Sequence, residues 1–183
     1  CYLINIRAVN AEMVTLIFEG LVEGIYASGP VTEISEEFTA TFSEGQKFSA
    51  SISIETTAPD EYPTDPNFSV YNAILGFEIT IRELTFTFRS DSAGTISTVD
   101  KQVEPGDELY DKYDEVSVWL TNLQGVSFGD CIPKWSGINF FDFNADRINN
   151  ESMQLDPNVL MNFFYRDWQL TFHNFGVQNG YVR

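Results

Sequence analysis

Between Phe38 and Phe88 apolar residues alternate with Ser, Thr and charged residues in one segment after another. Phe38, Ala40 and Phe42 alternate with Thr39, Thr41 and Ser43. Phe48, Ala50, Ile52 and Ile54 alternate with Ser49, Ser51, Ser53 and Glu55, and Leu84, Phe86 and Phe88 with Thr85, Thr87 and Arg89. A period of two places each apolar set on one face of a strand, so the pattern predicts antiparallel strands with one face buried and the other in water. Strands are expected at about 13–22, 36–43, 46–56, 71–82, 83–89 and 95–99, then around Val116–Leu120, 135–143, 163–172 and 177–182. Residues 135–143 are apolar on both faces, as in a central strand. Only Pro157–Leu160 suggests a helical turn. The expected fold is all-β: a two-sheet antiparallel sandwich, jelly-roll or immunoglobulin-like, with about nine to eleven strands and almost no helix.

Between these segments lie turns and loops. Ser43-Glu44-Gly45-Gln46 reads as a hairpin turn. Ala58–Pro66 carries three prolines and three acids and reads as a surface loop, because proline cannot donate to a central ladder. Asp100–Glu115 holds seven acids and two lysines around Pro105-Gly106 and reads as a solvated loop. The 183 residues suit one domain, with residues 12–183 as the sandwich and residues 1–11 as an N-terminal extension or an edge strand. Tyr2-Leu3-Ile4-Asn5-Ile6 is an extended apolar stretch. It can add to the edge of its own sheet or, by strand donation, to a neighbour's edge and so build a fibre.

Charge narrows the partners. With 27 acidic and 10 basic residues the chain carries −17, and its isoelectric point is near 4.1. Nucleic acid and anionic lipid are therefore poor partners, since both would be repelled. No run approaches the roughly 20 apolar residues of a membrane span. Such a surface fits solubility in a medium rich in salt or divalent cations, or binding of Ca²⁺ by clustered carboxylates. The local pattern Asp142-Phe143-Asn144-Ala145-Asp146 puts oxygen ligands at every second position. It departs from the EF-hand loop at Arg147, where glycine is expected. Asp142, Asn144 and Asp146 are thus the candidate calcium ligands, with the Asp107–Asp114 acids as a second cluster; no cofactor is required.

Catalytic groups are sparse. The single histidine, His173, ends a predicted strand and has no nucleophile partner in sequence, and with two distant cysteines it matches no zinc spacing. Cys1 and Cys131 allow a disulfide, a lipid-bearing N-terminal Cys1, or a buried thiol at Cys131 beside an arbitrary first residue. Tyr110, Tyr113 and Trp119 can stack on sugar rings or pack over the end of the sandwich. Asn67-Phe68-Ser69 and Asn150-Glu151-Ser152 are glycosylation sequons that matter only in a eukaryotic secretory pathway.

Several short motifs together resemble a known group. Phe18-Glu19-Gly20-Leu21-Val22, Gly45-Gln46-Lys47-Phe48-Ser49-Ala50, Ala58-Pro59-Asp60 and Tyr71-Asn72-Ala73 precede Asn139-Phe140-Phe141-Asp142, Leu155-Asp156-Pro157 and Trp168-Gln169-Leu170-Thr171-Phe172. In this order they resemble the passenger region of bacterial PEP-CTERM proteins, which exosortase sorts for secretion. The Pro-Glu-Pro motif, hydrophobic helix and basic tail of that family do not follow Arg183, so either maturation removes them or the surface is reached another way. The resemblance implies a non-catalytic extracellular role in an envelope or exopolysaccharide matrix. The sequence thus suggests a non-enzymatic structural or adhesive surface protein whose partners are itself or an extracellular polysaccharide. The alternatives are a carbohydrate-binding module and a glycan-active enzyme.

Overall fold

A computed structural model describes residues 2–10, 13–28, 36–65, 67–88, 94–101, 113–129, 131–142, 165–174 and 179–182. It is a two-sheet antiparallel sandwich, as the alternation predicts. One sheet has six strands, β1 (Tyr2–Asn10), β2 (Met13–Leu21), β4 (Lys47–Glu55), β6 (Ile74–Ile81), β7 (Leu84–Phe88) and β10 (Leu123–Gln124), hydrogen-bonded in that order. The other has seven. Its order is β3 (Ile25–Ser28), β13 (Asn179–Val182), β12 (Tyr165–Asn174), β11 (Cys131–Asp142), β9 (Tyr113–Thr121), β8 (Gly94–Lys101) and β5 (Phe68–Tyr71). Among the described residues there are thirteen strands, more than expected because β3 and β10 are too short to show a period, and because Asn72-Ala73 divides the predicted 71–82 strand into β5 and β6.

Alternation holds strand by strand. In β4 Phe48, Ala50, Ile52 and Ile54 are buried, while Lys47 and Ser49 are exposed. Their partners Leu16 and Phe18 on β2, and Ile79 and Ile81 on β6, are buried with them. From the facing sheet come Ile96, Val118, Leu120, Ile138, Phe140, Trp168, Leu170 and Phe172. Each fully buried side chain of this kind contributes about 1.5–3 kcal/mol. One polar pair lies inside: the Trp168 indole N–H donates to the Ser136 hydroxyl, which donates to the Gln169 carbonyl at 2.8 Å, leaving neither group unsatisfied.

The predicted strand at 36–43 is corrected. Glu36–Thr41 is a short helix, α1. Phe38 and Phe42 are four apart, a spacing that aligns side chains on a helix as well as on a strand. Ala40 separates the two readings: a strand would bury it, and it is exposed. Glu36 and Glu37 favour the helix start electrostatically, and the Thr39 and Thr41 hydroxyls donate to the carbonyls of Glu36 (3.1 Å) and Glu37 (2.8 Å). Gln46 closes the other end by donating from Nε2 to the Thr41 carbonyl at 2.9 Å. The turn that follows uses Gly45 at φ +79°, a conformation costly for side-chain-bearing residues.

Two further expectations change. Both ends of the acidic segment are strand, since Asp100 and Lys101 complete β8 while Tyr113–Glu115 begin β9, and residues 102–112 lie outside the described residues. In β11, Ser136, Ile138, Phe140 and Asp142 turn inward, whereas Trp135, Asn139 and Phe141 are only half-buried on the outer face, so this strand alternates rather than being apolar on both sides. The expected loop at 58–66 is tied down by Asp60, whose Oδ1 accepts from the backbone N–H groups of Tyr62 and Val70, each at 3.0 Å. The helical turn expected at 157–160 and the sequon at Asn150 lie outside the described residues. The N-terminal stretch finds its place as β1, paired to β2 from Tyr2 opposite Glu19 to Asn10 opposite Met13.

Candidate functional site

The outer face of the seven-stranded sheet carries the most distinctive chemistry. Trp119 on β9 sits opposite Gly137 on β11, and Trp135 lies two residues from Gly137 on the same face. The two indoles meet with ring centroids 5.3 Å apart, and Trp119 remains 40% exposed. Gly137 makes this arrangement fit. A Cβ there would stand 3.0 Å from Trp119 Cζ3 and 3.4 Å from Trp135 Cζ3, so its absence lets the Trp119 ring lie down over the sheet.

Beside the indoles runs a polar row. Ser97, Ser117, Asn139 and Asp167 are aligned across β8, β9, β11 and β12. The Ser117 hydroxyl donates to the Glu115 carboxylate and lies 2.8 Å from the Asn139 amide oxygen, which fixes all three side chains. Gln169 donates from Nε2 to Asp167 Oδ2 at 3.3 Å. At the far end Tyr113 packs on Phe141, with centroids 6.4 Å apart. Along β9 the distance from Trp119 to Tyr113 is about 20 Å at the usual rise per residue. The face is therefore a strip with aromatic rings at both ends and half-buried Glu115, Asn139 and Gln169 between them, while Ser117 and Asp167 are buried beneath it.

Asp167 holds its proton more tightly than an ordinary aspartate. Burial raises its pKa above 3.8 most strongly, the Gln169 hydrogen bond pulls it back, and the negative charge of Glu23 raises it further. A carboxyl raised in the folded state gives stability that is present below the unfolded pKa and lost as pH rises through the folded one. Asp167→Asn is expected to raise the melting temperature at neutral pH and to flatten its decline over that window. Thermal melts of both proteins across the acidic range check this.

The inner face of the same sheet carries a second row. Asp100, Asp114 and Asp142 stand in register on β8, β9 and β11, with Asp114 fully buried and Asp142 only 2% exposed. The fold thus brings one predicted calcium ligand, Asp142, beside Asp114 from the acidic segment. Asn144 and Asp146 lie outside the described residues. Among the described residues no group of three or more acidic, histidine or cysteine side chains is placed to hold a metal ion.

The remaining predicted residues are dispersed. His173 lies within β12, opposite Ile132, away from the end of the strip that carries Tyr113. Cys131, at the start of β11, is 7% exposed within the core cluster; Cys1 lies outside the described residues, and so does Tyr110. Of the aromatics singled out in the sequence, Trp119 and Tyr113 reach the strip. Trp135 was missed because it lies in an apolar run whose outward positions are visible only once register is known. No helix among the described residues is long and apolar enough to cross a membrane.

These features define a β-sandwich with an aromatic and polar strip on one sheet face. Compared with protein families, with curated proteins and with solved structures, the chain finds no match.

Proposed function

We propose that this protein is a non-enzymatic extracellular adhesive β-sandwich that holds polysaccharide on the outer face of its seven-stranded sheet. The observation that carries the reading is the exposed Trp119 ring, laid over Gly137 against Trp135 and flanked by half-buried Glu115, Asn139 and Gln169, the first two held by the buried Ser117 hydroxyl. A sugar ring has apolar faces of C–H groups and a polar rim of hydroxyls. An indole takes the face, and pre-oriented amides and carboxylates take the rim. The resemblance to secreted passenger regions supports export and a matrix setting. Ca²⁺ enters the proposal as a structural ion near Asp142, Asn144 and Asp146.

The test is retention on a panel of insoluble neutral polysaccharides, with depletion isotherms for those that bind. One ring stacking is worth about 0.5–1.5 kcal/mol, so Trp119→Ala is expected to weaken binding by up to about tenfold without changing the melting temperature. Binding should also perturb tryptophan fluorescence. Failure of the protein to be retained on any polysaccharide, or equal retention of the variant, would overturn the proposal.

A further inference from the structure

On the opposite side of the sandwich, the six-stranded sheet bears a cleft of about 630 Å³, within the size range of small-molecule sites. Its floor is the outward row Glu19, Ser49 and Thr80, in register across β2, β4 and β6. Lys47, paired with Leu21, and Arg82 form the next step along the sheet. Phe48 pairs with Ile81, so the two cations follow directly at neighbouring positions. The side chains described include only three lysines or arginines, Lys47, Arg82 and Lys134, and two of them line this cleft. Like charges placed side by side across strands repel, and an anion between them reverses the sign of the interaction.

Arg82 is unusual in its backbone as well. It is the first of two loop residues joining β6 to β7 and has φ +56°, where glycine is the residue without steric cost. Strain of this kind persists where the surrounding structure holds it, here the two-residue turn between β6 and β7, and it fixes the direction of the Arg82 side chain. The guanidinium reaches towards the Thr41 carbonyl at 3.5 Å, which leaves most of its donors unused by that contact.

We propose that this cleft binds a sugar carboxylate, a uronic acid unit, with Arg82 and Lys47 on the carboxylate. Ser49, Thr80 and Glu19 face the hydroxyls, and exposed Leu21 supplies an apolar wall. A monoanion is favoured over a multiply charged one because Glu19 shares the cleft and the whole chain carries −17. An inorganic anion would leave most of the volume unfilled.

The experiment titrates the protein with glucuronate, glucose and acetate, followed by calorimetry or amide chemical shifts. Glucuronate is expected to bind, to weaken as salt screens the charges, and to lose at least about tenfold in affinity in Lys47→Gln and in Arg82→Gln. Glucose lacks the charge and acetate lacks the hydroxyls, so both should bind at least about tenfold more weakly. Arg82→Gly guards against an effect of misfolding. It relieves the backbone strain, so it should keep or raise the melting temperature while losing glucuronate. Glucose binding as tightly as glucuronate, acetate binding as tightly, or glucuronate affinity unchanged in the variants would each overturn the assignment.

Discussion

Phe172→Ala is expected to cost about 3–5 kcal/mol, the range for removing a fully buried phenylalanine. Phe172 has no exposed surface. Its ring is surrounded by those of Phe38 (5.0 Å, edge-on), Phe86 (5.5 Å), Phe128 (5.6 Å) and Phe42 (5.7 Å). These neighbours come from α1 and the residue that follows it, from β7 and from the segment after β10, so one ring joins both sheets and the short helix. Because its neighbours are rings that also pack on one another, they cannot collapse into the cavity, and the cost should fall at the upper end. For a chain of this length, that corresponds to a melting temperature lower by roughly 6–20 °C. Urea unfolding should show a reduced midpoint with an unchanged slope. A loss below about 1 kcal/mol would mean that the cluster does not form as described.

Removing residues 1–11 should cost about as much. β1 pairs with β2 through seven residue pairs, and ladder hydrogen bonds contribute about 0.5–1.5 kcal/mol each. The truncated protein should therefore lose on the order of 5 kcal/mol and roughly 10–20 °C in melting temperature. It should remain able to fold and should expose β2 as a new edge, which invites association. A synthetic peptide of residues 1–11 added in trans should restore part of the stability. If the strand instead serves a neighbouring molecule, the truncated domain keeps its stability but loses the ability to form fibres that the intact protein has. Sedimentation at high concentration, run beside the melts, separates these outcomes.

The two-sheet architecture was legible because a half-buried strand writes its burial into alternate residues, and β4 does so over its whole length. Legibility ended where two periods coincide. Phe38 and Phe42 suit either element, and only exposed Ala40 distinguishes them. The aromatic strip was half legible. Trp119 stood out as a ring beside a polar segment, but Trp135 and Gly137 acquire meaning only through the register that sets Gly137 opposite Trp119. Asp114 and Asp142 are separated by 28 positions and meet only because β9 and β11 are neighbours. Arg82 gave no signal at all, since a positive φ on arginine contradicts local preference and no local rule would place it there.

The pairing of β3 with β13 sets a timetable for synthesis. Ser28 stands opposite Asn179, about 150 residues later, and at roughly 5–20 residues per second the ribosome leaves β3 without its partner for about 8–30 s. The edge strand β3 therefore waits for β13 to be made. That edge of the sheet closes only after residue 179 has been made, and a chain stopped short of it would carry β3 with nothing to pair with and β12 with a bare edge. Ribosome-stalled chains of increasing length should accordingly stay protease-sensitive in this sheet until β13 has emerged.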